Sequence, residues 1–213
     1  MSESERAAER EAEPVKEALH HYLRGQRATL LWKLEGLSER EARWPRTPTG
    51  TNLLGLVKHA ASMESEYFGF VVGRPFPEDL PWSGEDAEPN ADLWAGPDET
   101  IASVTAFAQR VWAHADATIE ALSLDSPANV PWWGPDGTQT HLGAVMTHVV
   151  AELARHAGHA DILRELADGS VGYLPQWSGM PSEDPQFWAE HVARMKAVAT
   201  DAEAEAAEGE QRA

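Results

Sequence analysis

One stretch of this 213-residue chain places imidazoles and a carboxylate a helical turn apart: His148, Glu152, His156 and His159, all between Leu142 and Leu163. Glu152 and His156 stand at i and i+4, so on a helix their side chains point the same way. The apolar residues Leu142, Val145, Val149, Leu153, Ala160 and Leu163 form a stripe at helical period, and the pair falls within or beside it. A carboxylate and an imidazole on a core-facing stripe are costly unless something pairs with them. A metal ion is one partner; a buried Glu–His pair or a shallow surface pair is the plainer one. His59 lies on the same side of a second helical pattern as Leu56, Met63 and Phe70, and so also faces the core. Two His and one Glu suit divalent zinc, nickel or iron, and leave positions open for water or substrate. Taken alone, His59 reads more simply as a hydrogen-bonded core histidine, and spacing by itself does not decide for the pair. His148 and His159 lie about one turn either side of the pair, as outer hydrogen-bonding partners, replacement ligands or merely polar residues. His20, His21, His114, His141 and His191 read as ordinary.

Composition narrows the chemistry. Cysteine is absent, so the chain supplies no disulfide, no thiolate ligand and no nucleophilic thiol. The net charge of −18 argues against nucleic acid and against anionic membrane surfaces. Hydrophobic residues make up 42% of the chain, too many for disorder, yet no apolar run reaches the length of a membrane span. The first residues lack the apolar core of a signal peptide. A soluble cytoplasmic protein is expected. The nine Trp suit a core or a ligand pocket. Arg outnumbers Lys 13 to 4, a bias that fits a GC-rich genome such as an actinobacterial one.

The elements that must carry these residues are helical. Residues 1–14 and 200–213 read as acidic tails, disordered or extending the neighbouring helices, and 15–199 as a single domain. A first helix is predicted over about 15–37, from Leu19, Tyr22, Leu23, Leu30, Leu34 and Leu37. Ser38 with Glu41 is a capping box for a short turn, and two prolines and a glycine break the pattern over 44–50. A second helix runs from about Asn52 to Val72, with Thr51 or Asn52 as its cap. A third covers about 98–122, capped by Asp98, with Ile101, Val104, Phe107, Ala108, Val111, Trp112, Ala115 and Ile119 inward. A fourth starts after Thr140 and stops at Gly169. A last helix over about 184–199 carries Phe187, Trp188, Val192, Met195 and Val198 on one side. No strand is expected. The fold class is all-α: a four-helix bundle with an additional C-terminal helix and long loops at 73–97 and 123–140.

The stretch from Trp44 to His59, WPRTPTGTNLLGLVKH, and the stretch from Glu152 to Asp161, ELARHAGHAD, together resemble the DinB/YfiT-type family of four-helix metalloenzymes. The likeness covers about residues 15–170 and is strongest to the branch that includes mycothiol-dependent maleylpyruvate isomerase. It implies a metal held by His59, Glu152 and His156. Glu152 stands where many relatives have His, as in the isomerase branch, and Ala157-Gly158-His159 replaces a frequent Arg-Gly-Gln. The resemblance also implies a low-molecular-weight thiol such as mycothiol as co-substrate. A divalent metal, zinc first and nickel or iron as alternatives, would turn that thiol into a thiolate at neutral pH.

The expected activity is a metal-dependent thiol S-transfer or thiol-dependent isomerisation. The partners are then a small thiol and an electrophile, the latter in a pocket shaped by Trp82, Trp94, Trp132 and Trp133. A metal-dependent hydrolase on the same residues, or a non-catalytic bundle that holds metal or a small ligand, stands as the alternative. The helix faces permit a homodimer.

Overall fold

A computed structural model describes residues 3–84, 86–135 and 138–211. It divides into two compact units, 1–177 and 178–213.

The first unit is the bundle. Its helices are α1 (Glu3–Trp32), a short α2 (Glu39–Arg43), α3 (Leu53–Tyr67), α4 (Ile101–Ala121) and α5 (Leu142–Asp168). α3 packs most extensively on α4 and α1 on α5, with α3 also meeting α5. The apolar stripes close on one another: Leu23 and Leu30 of α1, Leu54, Val57 and Ala60 of α3, Ala108, Val111 and Ile119 of α4, and Val145, Val149 and Leu153 of α5 are buried. A fully buried Leu or Ile contributes roughly 1.5–3 kcal/mol by leaving water, so the faces that meet are those the periodicity marks. The bundle is therefore all-α in class, as expected.

Several boundaries differ from the sequence reading, each for a local reason. α1 ends at Trp32 and a turn through Gly36, whose φ is +75°, carries Leu34 and Leu37. At its other end α1 takes in residues from Glu3 that composition reads as tail. α3 stops at Tyr67 because the chain folds back at Gly69, where a Cβ would lie 2.1 Å from the Ser65 carbonyl oxygen. Phe70, expected inward, lies beyond that break in a 3-10 turn and is 60% exposed. The cap of α4 is Thr100 rather than Asp98: its hydroxyl accepts from the Ser103 amide, and Ser103 answers from its own side chain. The cap of α5 is His141 rather than Thr140, its ring accepting from the Ala144 amide. Thr140 is instead in a strand. Contrary to the expectation of none, β1 (Pro127–Asn129) and β2 (Gln139–His141) pair antiparallel, with Ala128 opposite Thr140. Three residues a side are too few to leave a periodic signal. Ser38 and Glu41 form the predicted capping box, Asn52 caps α3, and Gly169 closes α5 in the left-handed conformation.

The bundle interior holds a polar seam. Arg27 of α1 donates from Nε to both oxygens of Glu64 at 3.1 Å, and from Nη1 to Asp116 of α4 at 2.6 Å; His20 bonds the same Asp116 oxygen at 2.7 Å. Burial opposes the Arg27 charge, but the two carboxylates outweigh it and hold the guanidinium above its ordinary value. Half-burial likewise opposes the charge of Asp116, yet the bonds from His20 and Arg27 keep its carboxyl below the usual range. Glu64, with no exposed surface, is pushed up by burial against the pull of Arg27.

The long connection between α3 and α4 is ordered by side chains rather than by secondary structure. The Lys58 ammonium donates to the Ala91 and Trp94 carbonyls and to Glu99 at 2.8–3.1 Å, and sits 4.1 Å from the Trp82 ring centre. Arg43 donates to the Ala95 and Gly96 carbonyls at 2.9 Å.

The second unit consists of α6 (Pro185–Gln211) and the turns before it, where the Trp188 indole donates to the Ser182 carbonyl. Phe187, Val192, Met195 and Val198 are exposed on it. No helix among the described residues is long and apolar enough to cross a membrane.

Candidate functional site

α3 and α5 run side by side and bring His59 and His156 together, their ring centres 4.7 Å apart and nearly perpendicular. The spacing of Glu152 and His156 does what a helix requires of i and i+4: the Glu152 Oε2 lies 3.7 Å from His156 Nε2. That is too long for a good hydrogen bond. As placed, no three His, Cys, Asp or Glu side chains among the described residues form a ready metal cluster.

The two imidazoles differ in surroundings. His59 Nδ1 lies 2.6 Å from Asp92 Oδ2, and that hydrogen bond is the main cause holding the Asp92 carboxyl below its usual range. An Nδ1–H given to a carboxylate leaves the Nε2 lone pair free, the form in which a histidine binds a cation. His156 is pushed down to about 4, by burial first and then by the neighbouring His59, so it is neutral at neutral pH. Its Nδ1 is buried with no hydrogen-bond partner. A buried imidazole nitrogen without a partner is uncommon in folded proteins.

A cavity of about 270 Å³ opens beside this pair. His59, Ser62, Met63, Glu66 and Tyr67 of α3 line one wall, His148 and Glu152 of α5 the other, and Ser83, Asp92 and Trp132 come from the loops. Tyr67 organises the far end. The indoles of Trp132 and Trp133 each donate to its hydroxyl oxygen at 3.0 Å, which occupies both lone pairs. The hydroxyl hydrogen is then left for His148 Nε2, also at 3.0 Å, so His148 carries its ring hydrogen on Nδ1.

The predicted site residues thus separate into groups. His59, Glu152, His156 and His148 come together, with Trp132 at the cavity and Trp133 behind Tyr67. His159 is exposed, its ring centre 5.6 Å from that of His156. Trp82 does not line this cavity; its indole donates to Ser62 Oγ from behind, and its ring faces a separate hollow with Phe107 and Arg110. Trp94 lines a third hollow, with Thr49, Asn52 and Leu56. Asp92, Glu66 and Tyr67 are the residues that sequence reasoning missed. Glu66 follows His59 by seven positions on one helix and could have been found by period; Asp92 comes from an irregular loop and has no such signal.

Asp92 reaches His59 because the loop presses on α3 at a glycine. A Cβ on Gly55 would fall 1.8 Å from the Leu93 carbonyl oxygen, a backbone atom that cannot swing aside. Gly55→Ala is expected to lift residues 91–94 and to cost about 1–3 kcal/mol, the range of an overpacked core site. A thermal melt checks this, and an unchanged midpoint would show that the loop yields freely.

Compared with curated proteins, the chain matches none of them. The family model described as mycothiol-S-transferase matches residues 18–169, the span from α1 through the end of α5 that holds every side chain of this site, and the chain belongs to that family.

Proposed function

We propose that this protein is a metal-dependent thiol S-transferase that joins a low-molecular-weight thiol of the mycothiol type to an electrophile in the cavity between α3 and α5. The observation that carries the reading is the meeting of His59, Glu152 and His156 beside that cavity, in a chain of the mycothiol-S-transferase family with no cysteine of its own. The sulfur must therefore arrive with a substrate.

Two imidazoles and a carboxylate fit zinc, and also nickel or iron. The Asp92-held tautomer of His59 and the unpartnered Nδ1 of His156 support that fit. When bound there, a divalent ion would lower the pKa of the thiol and polarise the electrophile. The chain does the rest. Asp92 fixes the His59 ring, the Tyr67 hydroxyl holds His148 in one tautomer, and the Trp132 indole covers the cavity end. In the net reaction the S–H bond breaks, a carbon–sulfur bond forms, and the thiol proton leaves with the displaced group.

The test is turnover of chlorodinitrobenzene by zinc-loaded protein, with and without mycothiol. Product forming only with thiol is the expected result. Chloride release at the same rate without thiol would replace this reading with a hydrolase, and no turnover with a panel of thiols and electrophiles would leave a binding protein.

A further inference from the structure

We infer that Glu66 is a specificity-determining residue of the cavity, disfavouring thiols that carry negative charge near the sulfur and admitting neutral or cationic ones. The inference rests on the S-transfer reading and adds the charge class of its thiol.

Glu66 stands two turns after His59 on α3 and lines the same cavity. Of the other two carboxylates of the lining, Asp92 bonds His59, and Glu152 stands 3.7 Å from His156 as a residue of the proposed metal site. The Glu66 carboxyl makes no hydrogen bond or ion pair among the described residues, although it is half-buried. No Lys or Arg lines the cavity among those residues. The nearby Lys58 ammonium is committed to Glu99 and to the Ala91 and Trp94 carbonyls. Three carboxylates line the cavity, one more negative charge than a single divalent cation would balance.

Glu66 already feels one of those charges. Its carboxyl is pushed up, first by burial and then by the charge of Asp92. An incoming carboxylate would meet the same repulsion in the same partly water-excluded space, where charge interactions outweigh those in bulk water. A polyhydroxylated thiol without charge would meet none, and Ser83 brings a hydroxyl to the lining. Thiols bearing carboxylates, as glutathione does, fall on the disfavoured side.

The experiment compares three thiols of matched size: neutral 2-mercaptoethanol, anionic 3-mercaptopropionate and cationic cysteamine. The full-length zinc-loaded protein and its Glu66→Gln and Glu66→Asp variants are tested with each. Because like charges juxtaposed at a binding surface suppress the wrong partner, the ratio of kcat/KM for the anionic over the neutral thiol should rise about tenfold in Glu66→Gln and stay near wild type in Glu66→Asp. A uniform loss across the three thiols, with that ratio unmoved, overturns the inference. The same thiols are also titrated against tryptophan fluorescence, which reads binding without turnover. If no thiol is consumed but the binding order still shifts in Glu66→Gln, the S-transfer reading fails and the charge selection stands. If binding shows no charge order in the wild-type protein, or no binding at all, the charge selection fails.

Discussion

Replacing His156 with alanine is expected to remove bound metal and to lower thiol-conjugating kcat/KM by about 10³-fold or more. Lewis-acid stabilisation by a metal is worth several kcal/mol, and each 1.36 kcal/mol is a factor of ten in rate. The expectation is sharp because the His156 ring offers the protein little else: it makes no hydrogen bond at Nδ1, and the Glu152 carboxylate, 3.7 Å from its Nε2, is too far for a good one. His59→Ala should behave alike. Asp92→Asn, which leaves the ring in place but weakens its hold, should lower metal affinity only about 10–100-fold, as outer-shell partners do. Elemental analysis and steady-state kinetics on the same preparations check all three, with circular dichroism to confirm the helices. A His156→Ala protein that keeps full metal content and activity would remove His156 from the site.

The largest expected effect on stability lies elsewhere, in the polar seam. Glu64→Leu should destabilise the fold by about 3–5 kcal/mol, the cost of leaving a buried guanidinium without its partner. Arg27 is 3% exposed and Glu64 not at all, so water cannot take over the lost bonds. The double variant Arg27→Met with Glu64→Leu should recover most of the loss, since replacing a buried pair by apolar groups of similar volume is often neutral. Urea unfolding of the wild type, Glu64→Leu and the double variant makes the comparison. A single variant within 1 kcal/mol of wild type would mean that Asp116 alone satisfies Arg27. Asp116 is the reserve partner, 2.6 Å from Nη1 and shared with His20.

This seam was not legible in the sequence. Glu64 is one of two carboxylates on α3, between Met63 and Ser65, and nothing local says that an arginine from α1 will meet it. His20 read as ordinary for the same reason. The helices themselves were legible, because what makes them is local: a stripe every three or four residues, a hydroxyl or amide at the start, a glycine at the end. Seven of the eight residues named as the inward face of α4 are buried, with Ile101 at the helix start only partly so. The capping box at Ser38 and the cap at Asn52 needed only three residues of context each. The cap at His141 was missed because a histidine ring seldom serves there and a threonine beside it looked better.

Local period also determined that Glu152 and His156 share a direction, that His148 lies one turn before them, and that His59 faces the same core. Only the packing of α3 on α5 decided that the two imidazoles meet at 4.7 Å. Only the course of the loop after α3 decided that Asp92 would fix His59 and that Trp82 and Trp94 would face other hollows, and only that of the loop after α4 decided that Trp132 and Trp133 would converge on Tyr67. The reason is one of range. A helix repeats its own geometry every few residues and so writes its faces into the sequence. A loop is placed by distant partners, here Lys58, Arg43 and the missing side chain of Gly55, whose meeting with residues 91–96 no short window of the chain contains.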